Sequence, residues 1–201
     1  MIQTGKKLSG TGELLRTLTM AICDKKEQVK VLETNMTRVD IFTVQVADDD
    51  FGKIMGTHAK NLLAMEAVIK VIAAREGREA RISAVDPQNK IPPPSKKFRG
   101  EPSWDRTKFL PYYRAVCDKL FDGGGTFNVV DIGPVESTVE INVNAENELF
   151  VYDGPDKRPV SFDAIEVALR TLFNAIGKCN GRTLTTYVIA VNYPVAYGKV
   201  L

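Results

Sequence analysis

Apolar and polar residues follow a regular pattern through the first part of the chain. Leu14, Leu15, Leu18 and Ile22 recur every three or four positions, which predicts a helix over residues 11–23. After this helix the apolar residues alternate with polar ones, as is typical of half-buried strands. The pattern predicts, in order, strands around residues 29–31 and 42–46, a short helix over residues 48–56, a longer helix over residues 59–76 that ends at Gly77, and a strand over residues 80–85.

The same order of elements returns in the second part of the chain. There the pattern predicts a helix over residues 109–120, strands over residues 127–132 and 139–143, a helix over residues 161–176 that ends at Gly177, and a strand over residues 184–191. The two long helices align with a constant shift of 100 residues, which pairs Gly77 with Gly177. Residues 21–25 and 115–119 are also alike, as are the strand residues Phe42, Val44, Val46 and Val139, Ile141, Val143. Three matches in one order predict an internal duplication.

This order of elements predicts an α+β fold, with helices packed on one face of a mainly antiparallel sheet. A chain of 201 residues has room for two such units. Four prolines between Pro87 and Pro94 favour an extended, semi-rigid path between the units. We therefore predict a first domain over residues 1–86, a Pro-rich basic linker over residues 87–107 and a second domain over residues 108–201.

Composition and charge narrow the class of protein. Hydrophobic residues make up 44% of the chain and charged residues 26%, which is typical of a globular protein. No apolar run approaches the roughly 20 residues that a membrane span needs, and the first ten residues lack the apolar core of a signal peptide, so a cytoplasmic protein is expected. The net charge is only +2, and the linker carries the only concentrated positive charge, which includes Lys96, Lys97 and Arg99.

Few residues are suited to metal binding or catalysis. Cys23, Cys117 and Cys179 stand far apart with His58 as the single histidine, so we expect neither a zinc site nor a disulfide framework, and the thiols are interpreted as core residues. No nucleotide-binding or hydrolase motif is present, and we predict no cofactor and no catalysis. The acidic residues 48–50 are open to two interpretations, a helix cap or a metal site, and the cap is favoured.

Residues 46–65 resemble the central segment of a bacterial KH domain. An acidic cap is followed by Gly52, Ile54 and Gly56 at the spacing of that family, and a helix follows. The helix and strands on either side are similar to the small single-KH RNA-binding proteins of bacteria, from about residue 12 to residue 86. The resemblance implies a KH-like unit of type II, with element order αββααβ, and a second, diverged KH-like unit after the linker.

The resemblance to KH domains also implies a role for the loop of residues 56–59. In a KH domain this loop joins two helices, and its main chain approaches the sugar-phosphate chain of a single strand. Ala59 replaces the second glycine, at a cost of about 1 kcal/mol if φ is positive there. Thr57 and His58 replace the usual basic residue. The resemblance implies these RNA-binding residues: Gly52, Lys53, Ile54, Gly56, Thr57, His58, Ala59 and Lys60, extended by Lys96, Lys97 and Arg99 of the linker.

The equivalent segment of the second unit, residues 152–159, departs further from the family. It holds two acidic residues and two prolines, and Pro155 has no amide to offer a phosphate. We therefore expect this unit to serve packing, self-association or contact with a protein partner.

The function that we expect is non-catalytic binding of single-stranded RNA, an mRNA, with weak sequence preference and no membrane contact. The architecture also resembles RNA-binding proteins of large nucleus-forming bacteriophages, which implies the cytoplasm of a bacterial host. One alternative is a scaffold protein that kept the KH architecture and lost RNA binding. An enzyme is the third and least favoured interpretation.

Overall fold

The structure, a computed structural model, describes residues 7–85, 106–121, 125–131, 136–144 and 148–191. The prolines of the predicted linker, with Lys96, Lys97 and Arg99, lie outside the described residues, as does the segment 192–201. The first half contains helix α1 (Gly10–Ile22), strands β1 (Lys30–Asn35) and β2 (Val39–Gln45), helices α2 (Asp48–Met55) and α3 (Lys60–Arg75), and strand β3 (Glu79–Ala84). Strand β2 is central, antiparallel to β1 and parallel to β3, which confirms the predicted αββααβ order.

The second half contains helix α4 (Arg106–Leu120), strands β4 (Gly125–Asp131), β5 (Glu136–Asn144), β6 (Phe150–Asp153) and β7 (Asp156–Pro159), helix α5 (Phe162–Cys179) and strand β8 (Thr183–Val191). Strand β5 is central, antiparallel to β4 and parallel to β8, as in the first sheet. The difference lies between β5 and α5, where the β6–β7 hairpin stands in the place of α2. Gly154 begins its two-residue turn with a φ of +64°, as short hairpin turns require.

Equivalent positions of the two halves are buried in the same way. Phe42 on β2 and Val139 on β5 both have no exposed surface, and Ile69 on α3 and Leu169 on α5 are likewise fully buried. The α+β fold class is therefore confirmed, whereas the duplication of the second unit stays a prediction.

The helices form the middle of the molecule. Helices α1 and α3 pack on the first sheet, and α4 and α5 pack on the second. The four helices also contact one another across the two halves, so the two sheets lie on opposite sides of a helical layer. Buried apolar residues from both halves form one continuous cluster. Removing apolar surface from water stabilises such a core by about 25 cal/mol for each Å².

The prediction that the second long helix ends at Gly177 is wrong. Helix α5 continues to Cys179, and the positive φ that follows its end, +75°, belongs to Gly181. Gly177 is required for another reason, because a Cβ atom there would lie 2.7 Å from the carbonyl oxygen of Arg182 and 2.7 Å from Cγ of Leu184. Gly77, by contrast, follows α3 with a φ of +73° and ends that helix as predicted.

Two of the three cysteines are core residues as the sequence predicts, whereas Cys179 is only partly buried. Cys23 and Cys117 are buried in the core, and burial raises the pKa of the Cys117 thiol to about 12. Among the described residues, no helix combines the length and apolar character that crossing a membrane requires.

Candidate nucleic-acid interface

Helix α2 carries the acidic residues that were expected to cap it. The residue at its N-terminal cap is Ala47, whose side chain makes no capping bond, so the prediction that an acidic residue caps this helix is wrong. Asp48, Asp49 and Asp50 lie within the first turn, where their negative charge interacts favourably with the positive end of the helix dipole.

Asp50 joins α2 to the chain that leaves α1. Its side chain is 1% exposed, and its two oxygens accept hydrogen bonds from the amides of Asp24, at 3.1 Å, and Lys25, at 2.9 Å. Nζ of Lys53 lies 2.8 Å from Oδ1 of Asp50 and 2.5 Å from Oδ2 of Asp24. Burial acts to raise the pKa of Asp50, but the hydrogen bonds from Lys53 and the two amides outweigh it and lower that pKa. This network fixes α2 against α1.

Two predicted RNA-binding residues therefore have structural contacts. The Lys53 side chain is only 16% exposed and is held between two carboxylates. Ile54 is fully buried in the core. Gly52 accepts a hydrogen bond from the amide of Gly56 through its carbonyl oxygen, at 2.9 Å, which closes the last turn of α2. A role of these residues toward RNA stays a prediction, and their contacts in the structure hold the helix that leads to the loop.

The loop of residues 56–59, called the glycine turn below, reverses the chain with an unusual backbone. Gly56 has a φ of +66°, His58 of +53° and Ala59 of +59°. The positive φ expected at Ala59 is observed. The left-handed conformation costs a residue with a Cβ atom roughly 1–2 kcal/mol of conformational free energy. The amide of Ala59 donates to the carbonyl oxygen of Gly56 at 3.2 Å, and the amide of Lys60 donates to Thr57. These bonds hold the turn without using the amides of Thr57 and His58.

Asn61 is a part of the site that the sequence analysis missed. Nδ2 of Asn61 donates to the carbonyl oxygen of Lys53 at 2.8 Å, which bridges the first turn of α3 to the end of α2. A Cβ atom at Gly56 would lie 2.7 Å from Cγ of Asn61. Gly56 is therefore needed for its positive φ and for room to seat the Asn61 amide. An asparagine two positions after the turn was the available signal in the sequence.

The glycine turn presents polar groups to solvent. Thr57, His58 and Lys60 are exposed, and Gly56 and Ala59 are partly exposed. Lys60 takes part in no ion pair with another described residue. Helix α3 begins here, and the N-terminal end of a helix favours anions because its first amides have no partner inside the helix. Exposed amides, a helix start and an exposed cation together suit a phosphate group.

The second half presents a different surface at the equivalent place. The β6–β7 turn lies against the first half, where the amide of Gly154 donates to Oε2 of Glu79 at 3.2 Å. Arg158 pairs with Asp153 at 2.9 Å on the hairpin itself. Strand β6 also packs against α3. The Gly154 amide is therefore already bonded within the chain.

An αββααβ unit whose middle helices meet at an exposed glycine turn is a KH domain of type II. Residues 12–84 match the family of KhpA/KhpB KH domains, which confirms the predicted resemblance for the first half. The chain is 32% identical to RNA-binding protein KhpA of Streptomyces coelicolor over 74 residues. These residues are 37% of this chain and 90% of that protein.

A second relative gives the same result at lower identity. RNA-binding protein KhpA of Caldanaerobacter subterraneus subsp. tengcongensis is 27% identical over 74 residues, which are 37% of this chain and 99% of the relative. The chain belongs to the KhpA/KhpB family of KH domains through its first half. No solved structure matches the chain significantly.

Proposed function

We propose that this protein binds single-stranded RNA without catalysing a reaction, and that the glycine turn of the first half contacts the RNA backbone. The observation that carries the proposal is the exposed glycine turn, followed by the exposed Lys60, in a domain similar to proteins named RNA-binding protein KhpA. The amides of Thr57 and His58 face no main-chain partner in the turn, and Lys60 adds a positive charge beside them.

In this proposal the residues around the glycine turn have two roles, which follow from their contacts in the structure. Thr57, His58 and Lys60 contact the RNA, since their side chains are exposed. Lys53 and Ile54 set the position of α2, since the first is held by two carboxylates and the second is buried. Because the proposed contact is to the sugar-phosphate backbone, which carries no sequence information, the sequence preference is weak.

The proposal gives the second half and the linker different roles toward RNA. The β6–β7 hairpin has an acidic residue on each side of its turn, which disfavours a phosphate, so one KH unit of the two carries the RNA contact. Lys96, Lys97 and Arg99 extend the contact along the strand through charge. We further propose, from the resemblance to proteins of nucleus-forming bacteriophages, that the RNA is an mRNA bound in the cytoplasm of a bacterial host.

The test is the fluorescence anisotropy of a labelled single-stranded RNA titrated with the protein at two salt concentrations. RNA binding through phosphates weakens as salt rises, and loss of a phosphate contact lowers the salt dependence by about one ion. Lys60→Glu is expected to weaken binding about tenfold or more, by analogy with removal of a charged contact. Arg38→Glu is the matched control, because Arg38 is also exposed and lies at the opposite end of α3, beside Gly77.

Two outcomes contradict the proposal. Equal loss in the two variants would show that net charge, and not the glycine turn, binds the RNA. Absence of salt-dependent binding to any single-stranded RNA would favour the scaffold function, in which the KH unit contacts protein. Purification of the protein with bound nucleic acid, seen as a high ratio of absorbance at 260 and 280 nm, is the rapid first measurement.

A further inference from the structure

His58 is the single histidine of the chain, and it lies in the middle of the glycine turn. It is exposed, and among the described residues its side chain forms no hydrogen bond or ion pair. Its backbone has a φ of +53° and a ψ of +37°, a left-handed conformation that histidine adopts more often than most residues. Within the described structure, the imidazole ring is therefore open to a ligand at the turn.

Histidine is the side chain whose charge ordinarily changes between about pH 5 and 8. A thiol is the next nearest to this range, but burial raises the pKa of Cys117 to about 12 and that of Cys179 to about 11, and it also raises the pKa of Cys23. Carboxyl groups ordinarily titrate near pH 4. Apart from the α-amino group, His58 is therefore the group of this chain that we expect to change charge near neutral pH.

Few carboxylates lie along the chain near the glycine turn, which packs against α2 and α3. No Asp or Glu stands in the sequence between Asp50 and Glu66. Asp50 is held by Lys53, and Glu66 pairs with Lys70 at 2.9 Å. Along the chain, the free charge nearest to His58 is that of Lys60. The charged residues of the two helices are Asp48, Asp49, Asp50 and Lys53 on α2 and Lys60, Glu66, Lys70 and Arg75 on α3.

We propose, on the basis of the function proposed above, that RNA binding at the glycine turn takes up a proton on His58, so that the affinity for RNA rises as the pH falls from about 7.5 to about 5.5. The proton comes from the buffer and goes to the ring nitrogen that lacks one. Both ring nitrogens then donate, and a hydrogen bond from a charged donor to phosphate is stronger than one from a neutral donor. Because a phosphate beside the ring favours its charged form, binding and protonation strengthen each other.

The added proton changes the salt dependence as well as the affinity. On a single strand, each phosphate that a cation neutralises adds about 0.7 to the slope of log affinity against log salt concentration. At low pH the turn offers the imidazolium of His58 beside the ammonium of Lys60, and at high pH it offers Lys60 alone. Tighter binding and a steeper salt dependence are therefore expected together at low pH.

The fluorescence anisotropy of a cyanine-labelled oligouridine tests the proposal on the full chain. This probe is chosen because uracil, the phosphodiester and the dye keep their charge over the range used. The wild-type chain is expected to bind about tenfold more tightly at about pH 5.5 than at about pH 7.5. Its salt slope is expected to be steeper by about 0.7 at the lower pH.

Two substitutions at position 58 separate charge from structure. His58→Asn keeps a polar side chain that tolerates the left-handed backbone, and it is expected to bind weakly at both pH values. His58→Lys has a permanent charge and is expected to bind tightly at both. Arg38→His in the His58→Asn chain is the matched control, because it places a histidine at an exposed position at the opposite end of α3. It is expected not to restore the dependence on pH.

Calorimetry measures the proton directly. The heat of binding is compared in buffers that differ in their heat of ionisation, at about pH 6.5. The wild-type chain is expected to take up protons from the buffer as it binds the oligouridine, and His58→Asn is expected to take up none. The α-amino group is present in both proteins, so a difference between them belongs to His58.

The possible failures are distinguishable. Absence of binding to the oligouridine at both pH values would remove the proposed function, and this proposal with it. Binding of equal strength at the two pH values would overturn the role of His58 protonation alone. A dependence on pH that persists in His58→Asn, or that Arg38→His restores, would place the proton on another group and also overturn it.

Discussion

The side-chain amide of Asn61 donates a hydrogen bond to the main-chain carbonyl oxygen of Lys53 across 2.8 Å. The bond ties the first turn of α3 to the last turn of α2, and the amide lies in the space that the missing side chain of Gly56 leaves free. The shape of the glycine turn therefore depends on a residue outside it. This dependence can be measured.

Gly56→Ala is expected to lower the free energy of unfolding by about 2 kcal/mol, since alanine has an unfavourable φ and displaces Asn61 from its bond. Gly77→Ala is the matched control, because Gly77 has a similar φ of +73° and an added Cβ atom would meet nothing within 4 Å. The control variant is expected to lose about 1 kcal/mol. Urea denaturation measures both values. Equal losses would contradict the role of Asn61, and in an Asn61→Ala background the difference should vanish.

Ala59→Gly is expected to raise the free energy of unfolding by about 1 kcal/mol, because glycine adopts the left-handed φ of +59° without steric cost. The same substitution at Ala67, inside α3, is expected to lower it by about 1 kcal/mol, since glycine is a poor helix residue. Urea denaturation measures both changes in the free energy of unfolding, which are expected to have opposite signs. A loss of stability in Ala59→Gly would mean that the turn does not strain Ala59.

Asp50→Asn is expected to destabilise the protein by about 3 kcal/mol at neutral pH, because it breaks a buried ion pair with Lys53. The folded pKa of Asp50 is lowered, so its contribution is present above the unfolded pKa of about 4 and is lost as the pH falls through the folded value. Stability measured against pH should therefore fall less steeply below about pH 4 in the variant than in the wild type. Parallel curves would show that Asp50 does not carry the acid sensitivity.

Tyr113→Phe is expected to leave the free energy of unfolding unchanged or to raise it by up to about 1 kcal/mol. The Tyr113 hydroxyl is buried and has no hydrogen-bond partner among the described residues. Such a group loses its hydrogen bonds to water on folding and forms none in exchange, which destabilises the folded state. Its ring contacts the edge of Phe173, with ring centroids 4.3 Å apart, and phenylalanine keeps this contact. Thermal unfolding measures the change, and a loss above about 1 kcal/mol would mean that the hydroxyl has a partner.

Much of the first half follows from residue patterns alone. The periods of α1 and α3, the alternation of β2 and the glycine after α3 are local signals, and each led to an element within a few residues of the one observed. The positive φ at Ala59 was also predictable, because the position is glycine in the family. These features depend on neighbours in the sequence.

The errors arose where distant residues decide the outcome. Asp50 was expected to cap its own helix, but the free amides of Asp24 and Lys25 lie closer to its carboxylate once α1 and α2 pack. Gly177 was taken for a helix end, yet it is inside α5, and a glycine is needed there because the carbonyl oxygen of Arg182 leaves no room for a Cβ atom. The β6–β7 hairpin, whose turn donates a hydrogen bond to Glu79 of the other half, was also missed. No local pattern reports such contacts.

The helical layer shared by the two sheets has a consequence for synthesis on the ribosome. Helices α1 and α3 emerge early, but α5, against which both pack, is completed only when translation reaches Cys179. Until then the nascent first half keeps part of its apolar helical surface in water. The final packing of the KH unit is thus coupled to the arrival of the last helix.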